Sequence, residues 1–280
     1  MSSAKKLLEQ LPKHKMILDP KSYRMAHPVY SLKDIETIAV THRKPENFRD
    51  KFALNLIRIM RSSFDFVTGY NEKKMTTSQW LNRVVFLETV AGVPGMVGGM
   101  TRHLKSLRTL KPDHGWIHNL LEEAENERTH LFIFLDLKQP KWMFKTMIAM
   151  AQGVFYNLYF LSYLVAPKYC HRFVGYLEEE AVHTYTVLLR QIDDGSLPEW
   201  KNMPATQMAK EYYNLPEDAT LRDVILSIRA DESIHREVNH YVTDQQVEEP
   251  VESEEVYIVN RKYNSGDFGH EHRLIQDITK

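Results

Sequence analysis

Ala124-Glu125-Asn126-Glu127-Arg128-Thr129-His130 holds a Glu-x-x-His step, and Arg229-Ala230-Asp231-Glu232-Ser233-Ile234-His235 holds another. On an α-helix, residues i and i+3 share a face a few Å apart. A carboxylate and an imidazole from one helix can therefore reach one metal ion. Two such helices, with a single Glu from each of two more, would supply four Glu and two His to a two-metal site inside a bundle. The question for the rest of the chain is whether it provides the other two Glu.

Composition restricts the ligand types. The 280 residues contain one cysteine, Cys170, so intrachain disulfides and cysteine-built zinc or iron–sulfur sites are excluded. Any metal must sit on His, Asp or Glu. The formal charge of −1 gives no bulk attraction to nucleic acid. With 43% hydrophobic residues the chain can fill a large core. No apolar run of signal-peptide type follows Met1.

Reading in order, residues 1–45 are polar and Pro-punctuated and predict an extended arm. Residues 46–243 read as one helical domain. Helices are expected from about Phe52 to Gly69, from Thr76-Thr77-Ser78 to about Leu110, over Trp116–Leu137, over 141–165, from about Tyr169 to Ile192, and over Leu221–Thr243, with a short one at 205–213. Pro94 and its neighbouring glycines Gly92, Gly95, Gly98 and Gly99 predict a small-residue face for close helix packing. From 244 to 280 an acidic, apolar-poor tail is expected to lie outside the fold.

Spacing alone does not choose the ligands, because Glu-x-x-His occurs four times: Glu127/His130, Glu180/His183, Glu232/His235 and Glu237/His240. Helical phase separates them. At ~100° per residue, Glu232 and His235 continue the stripe Leu221, Val224, Ile225, Ile228. Glu127 continues Leu120 and Ala124, with His130 beside it. Glu88 continues Leu81, Val84 and Val85, and Glu178 sits with Val174, Ala181 and Tyr185. Glu180 and His183 fall on a flank, and Glu237/His240 reads as a surface pair.

The competing explanation for buried acids is pairing with Arg83, Arg128, Arg172 or Arg229. Four acids on one seam argue against it, because bare carboxylates there would repel one another and lose hydration. Two divalent cations cancel the four charges, and hard oxygen donors with two imidazoles suit iron or manganese. Tyr185 lies about 10 Å along the axis from Glu178 on the same face. It reads equally as a redox-active Tyr or as an ordinary core Tyr.

Residues 52–68 and 141–165 carry no ligand and are strongly apolar, with Arg58, Arg61, Lys141 and Lys145 in or beside them. The favoured expectation is two helices lying in one membrane leaflet. A true span for 141–165 and a soluble six-helix core are the alternatives. The fold class expected is all-α: a ferritin-like four-helix bundle with a dinuclear metal site, plus these two apolar helices on the membrane surface.

Four stretches, Leu87-Glu88-Thr89-Val90-Ala91-Gly92-Val93-Pro94-Gly95-Met96, Asn126-Glu127-Arg128-Thr129-His130, Leu177-Glu178-Glu179-Glu180-Ala181 and Arg229-Ala230-Asp231-Glu232-Ser233-Ile234-His235, resemble the signature boxes of the alternative oxidases, in order. The resemblance covers roughly residues 42–243. It implies a homodimeric, monotopic di-iron enzyme on the matrix side of the inner membrane of a mitochondrion or mitochondrion-derived organelle. The family oxidises ubiquinol and reduces dioxygen to water, resists cyanide and pumps no protons.

Carried over by motif, the ligands of two iron ions would be Glu88, Glu127, His130, Glu178, Glu232 and His235, the set that phase selects. Tyr185 would be the redox-active Tyr, with Asn126 and Asp231 supporting the ligands. The resemblance places a quinol pocket at Arg61, Asp65, Arg83, Leu87, Glu180, Ala181 and Thr184, with Arg83 and Glu180 relaying protons. The thiol regulation of the plant enzymes has no counterpart in an N-terminal cysteine here. Rival expectations are a plastid-type quinol oxidase or quinone hydroxylase on the same bundle, and an iron-storage or metal-sensing bundle.

Overall fold

A computed structural model describes residues 27–244. Residues 1–26 of the expected arm and 245–280 of the expected tail lie outside the described residues. Eight helices appear among those described: α1 (Leu32–Glu36), α2 (Phe48–Thr68), α3 (Thr77–Thr109), α4 (Trp116–Leu137), α5 (Trp142–Val165), α6 (Pro167–Asp193), α7 (Gln207–Tyr213) and α8 (Leu221–Asp244). The described residues contain no strand, only an isolated bridge between Pro204 and Thr220.

The helix ends follow local chemistry. Asn47 caps α2 by accepting from the Asp50 amide, and Gly69 closes it in the left-handed region at φ 63°. Thr76 and Gln79 form a reciprocal capping box at the start of α3. Pro167 occupies the first turn of α6, where its missing N–H costs nothing.

Helices α3, α4, α6 and α8 form the bundle, with α3 packed on α4 and α6 on α8. The glycine face of α3 has the role its composition suggests. A Cβ at Gly95 would stand 2.5 Å from the Leu120 carbonyl oxygen, and one at Gly92 would stand 3.5 Å from Glu127 Cβ. Close approach of the two backbones thus brings Glu127 toward the α3 acid Glu88. Gly95→Ala is expected to destabilise the fold by about 1–3 kcal/mol, although Ala is the better helix former. Thermal unfolding would read this as a Tm lower by several degrees.

The arm packs on its own chain. Tyr30 and Ile35 are buried, and Arg229 of α8 donates to the carbonyls of Ile35 and Glu36 at 2.9 and 3.1 Å. Those carbonyls end α1, so the guanidinium satisfies a helix terminus that has no further turn to bond. At the far end of α8, Asp244 binds Arg43 at 2.8 Å and also Arg172.

Helices α2 and α5 leave large apolar side chains exposed: Phe52, Ile59 and Phe66 on α2, and Trp142, Met150 and Leu161 on α5. Both α3 and α5 are long and apolar enough to cross a membrane, but 44% of the most apolar stretch of α3 is buried and only 11% of that of α5. Two polar side chains along α5 are satisfied within the protein. Gln152 donates to the Thr89 carbonyl at 2.6 Å, and Asn157 to the Gly153 carbonyl at 2.7 Å.

Candidate metal centre

All six residues selected by phase meet in the bundle core, and each is buried. They fall into two groups, each with donor atoms within 4.8 Å of one another: Glu88, Glu127, His130 and Glu232, and Glu127, Glu178, Glu232 and His235. Glu127 and Glu232 belong to both. The sequence contains the six residues but not this sharing, which depends on how α4 and α8 face each other. Two tetrads with two carboxylates in common are the arrangement of a carboxylate-bridged pair of ions.

The donor atoms themselves test the fit. Glu88 Oε2, both carboxylate oxygens of Glu127, His130 Nδ1 and His235 Nδ1 are buried without a hydrogen-bond partner. Orphaned buried atoms are costly, and five gathered at one point call for a common partner. His130 Nδ1 lies 3.5–3.6 Å from Glu88, Glu127 and Glu232 oxygens. None of the four carboxylates has an arginine or lysine partner among the described residues. Arg83 is instead 2.5 Å from Asp65, Arg172 is 3.1 Å from Asp50, and Arg128 is 2.5 Å from Glu125. Arginine pairing therefore does not account for the buried acids, and the residues present fit two hard cations.

Protons occupy the site when cations do not. Burial pushes the Glu88 carboxyl up to about 8, helped by the charge of Glu127. Burial, with Glu232 and Glu127, also raises Glu178. Burial alone would keep His235 neutral, but the neighbouring carboxylates of Glu127 and Glu232 outweigh it and raise its pKa. His130 and His235 in turn outweigh burial at Glu127 and hold that carboxyl well below its usual range.

Metal-free protein is therefore expected to lose stability as pH rises from 4.5 to about 8. Over that window the folded state keeps protons the unfolded chain has released, so the Glu88 contribution is complete below 4.5 and gone above 8. The slope is about 1.4 kcal/mol per pH unit for each such proton. Urea midpoints of chelated protein across the window check it, and a rising midpoint would contradict it. Added metal should protect more at the alkaline end, because binding displaces those protons.

Asp231 organises the surroundings. Its Oδ1 accepts from Tyr30 and lies 2.9 Å from His27 Nε2. Its Oδ2 accepts from Asn126 Nδ2 at 2.9 Å and Tyr213 at 2.8 Å, and lies 2.9 Å from His130 Nε2. A carboxylate only accepts, so His130 carries its hydrogen on Nε2 and turns Nδ1 toward the acids. Burial opposes ionisation of Asp231, but His27 and the hydrogen bonds of His130 and His27 hold it well below the usual carboxylate range. Tyr185 is buried and donates to Glu88 Oε1, which leaves Oε2 free.

The remaining expected residues gather between α2, α3 and α6. Arg61 Nη1 is 2.6 Å from Glu180 Oε2 and 3.1 Å from the Thr184 hydroxyl, and Arg61 Nε is 3.3 Å from Asp65. Arg83 meets Asp65 from the other side. Leu87 and Ala181 are partly buried. Glu180 lines an open cleft of about 240 Å³ together with Arg61 and Asp65.

One expectation is corrected. Glu237 is exposed and pairs with Arg236, but His240 is buried, with Nε2 2.9 Å from Glu179 Oε1. The contact between α6 and α8 is wider than the ligand seam, and Gly175 makes room for the ring. A Cβ at Gly175 would stand 2.4 Å from His240 Nδ1. Phase also missed Glu123, one turn before Glu127, which accepts from Asn239 at 2.9 Å and is pushed up by burial to about 7.

A family model described as alternative oxidase matches residues 30–244. Curated proteins named "Alternative oxidase, mitochondrial" are similar to this chain. That of Emericella nidulans is 51% identical over 226 residues, covering 77% of this chain and 64% of that protein. Those of Aspergillus niger and Yarrowia lipolytica are 52% and 51% identical, each over 76% of this chain and 64% of the relative. The chain thus spans somewhat under two thirds of the length of these relatives.

Proposed function

Because the chain belongs to the alternative oxidase family, we propose that it is a di-iron ubiquinol oxidase that reduces dioxygen to water, resists cyanide and pumps no protons. The observation that carries this reading is the pair of buried tetrads sharing Glu127 and Glu232. Iron held by Glu88, Glu127, His130, Glu178, Glu232 and His235 would supply the redox chemistry of dioxygen reduction.

The protein's own groups do the rest. Asp231 and Asn126 fix the ligand shell by orienting His130. Tyr185 holds its phenolic proton against Glu88 Oε1, so that oxygen would receive the proton if the ring gave an electron to the metal centre during dioxygen reduction. The quinol head is received at Arg61, Asp65, Arg83, Leu87, Glu180, Ala181 and Thr184, of which Arg61, Asp65 and Glu180 line the open cleft. There Glu180 accepts a hydroxyl proton, while Arg61 and Arg83 hold the carboxylates of Glu180 and Asp65 in place.

The exposed apolar faces of α2 and α5, with the exposed Arg58, Lys141 and Lys145, support a seat in one leaflet. A quinol confined to lipid would reach the cleft from that side. The names of the relatives support a mitochondrial setting, for which we propose the matrix face of the inner membrane, with the chain as a homodimer. Iron quantitation beside quinol-dependent oxygen uptake in membranes tests the function. Two irons per chain and cyanide-resistant uptake are expected. Iron binding without quinol turnover would favour a storage bundle, and a hydroxylated quinone product would favour a hydroxylase.

A further inference from the structure

The cleft between α2 and α6 contains an ionisable pair with no part in the reading so far. His183 lies three residues beyond Glu180 on α6, so the two share a helix face. Both line the cleft of about 240 Å³ with Arg58, Arg61, Asp65 and Glu72. Glu72, on the connection between α2 and α3, places Oε1 3.0 Å from His183 Nε2. Since a carboxylate only accepts, Nε2 carries the hydrogen and Nδ1 is the basic nitrogen. The side chains of His183 and Glu72 are 37% and 45% exposed, so the pair sits where the cleft opens.

We propose that His183 and Glu72 form the proton exit of the quinol cleft. The proposal rests on the quinol-oxidase reading and deepens it. Oxidation of one quinol to quinone breaks two O–H bonds and releases two electrons, which go to dioxygen, and two protons. Glu180 takes these protons one at a time. A protonated Glu180 gives up its 2.6 Å ion pair with Arg61, so it must be cleared before the next transfer. His183 Nδ1 takes the proton, the Nε2 proton leaves through Glu72 to water, and Glu180 returns to Arg61.

The charged surroundings suit a relay. Arg58, Arg61 and Asp65 face the pair from α2, and Glu180 and Arg190 from α6. Arg190 also donates to the Glu72 carbonyl at 3.0 Å. The hydrogen bond from His183, with the charges of His183, Arg61 and Arg190 outweighing burial, holds the Glu72 carboxyl below its usual range, so Glu72 stays ionised and passes a proton straight on to water. Among the side-chain types present, imidazole is the one that ordinarily changes charge between pH 5 and 8.

The test compares wild type, His183→Gln and Glu72→Gln in membranes supplied with ubiquinol between pH 5 and 8. His183→Gln should lower kcat about tenfold with little change in KM and flatten the pH profile. The loss is smaller than the 10²–10⁴ of a fully enclosed acid–base group, because water reaches the open mouth. Glu72→Gln should show a weaker form of the same change, and it carries the test if His183→Gln does not fold. Added imidazole should restore turnover to His183→Gly. An unchanged kcat and pH profile in a folded, iron-loaded variant overturns the relay, as does failure of imidazole to rescue. A wild type that oxidises no quinol overturns the proposed function instead, so the two failures are distinguishable.

Discussion

Glu127→Ala is expected to reduce quinol-dependent oxygen uptake to background and to strip iron from the protein. Like Glu232, Glu127 belongs to both tetrads, so its loss removes a donor from each at once. It also faces His235 at 2.8 Å and His130 at 3.6 Å. Its removal leaves the buried His235 imidazole without its nearest carboxylate, a change of the kind that costs about 3–5 kcal/mol. Activity should fall at least 100-fold and iron should drop below one ion per chain. Glu237→Ala is the matched control. It also removes a Glu three residues before a His, but an exposed one paired with Arg236, and uptake should be unchanged. Full activity in Glu127→Ala would refute the assigned centre.

The second large effect is expected at Asp231, which the proposed function does not require to touch metal or substrate. Asp231→Asn keeps the size of the side chain but replaces one accepting oxygen with a donating NH₂. Five groups converge on the two carboxylate oxygens, so at least one donor would then face another. If that donor is His130, its ring shifts its hydrogen to Nδ1, the atom aimed at the acids. Supporting residues of this kind typically contribute 10–100-fold in metal affinity. Iron titration should show a loss in that range, and unfolding of the apoprotein should show a loss of about 1–3 kcal/mol for the unsatisfied buried group. Iron affinity and stability both equal to wild type would show that His130 is oriented by something else.

Much of the centre is legible in the sequence because a helix has a fixed period. Glu88, Glu127, Glu178 and Glu232 each continue an apolar stripe, and a carboxylate in such a place has few explanations. The same reasoning fails where no period exists. His27 and Tyr30 lie on the arm, which has no repeating face, yet both reach Asp231. Tyr213 ends the seven-residue α7, too short to define a stripe. His240 was misplaced because a helix buried on two sides has no single inward direction. Phase sets Glu180 and His183 on a flank, but the cleft that gives a flank meaning comes from α2, more than a hundred residues away in the chain.

The convergence on Asp231 also fixes an order in time. His27 and Tyr30 are separated from it by 204 and 201 residues, while Asn126 and His130 are separated by 105 and 101. Local helices can form in microseconds, but contacts across such separations must wait for the largest loops to close. A folding chain would therefore have its ligand helices before Asp231 of α8 meets His130 and aims it. Capacity to take up iron should appear as a late, single event in refolding, well after helical content is complete.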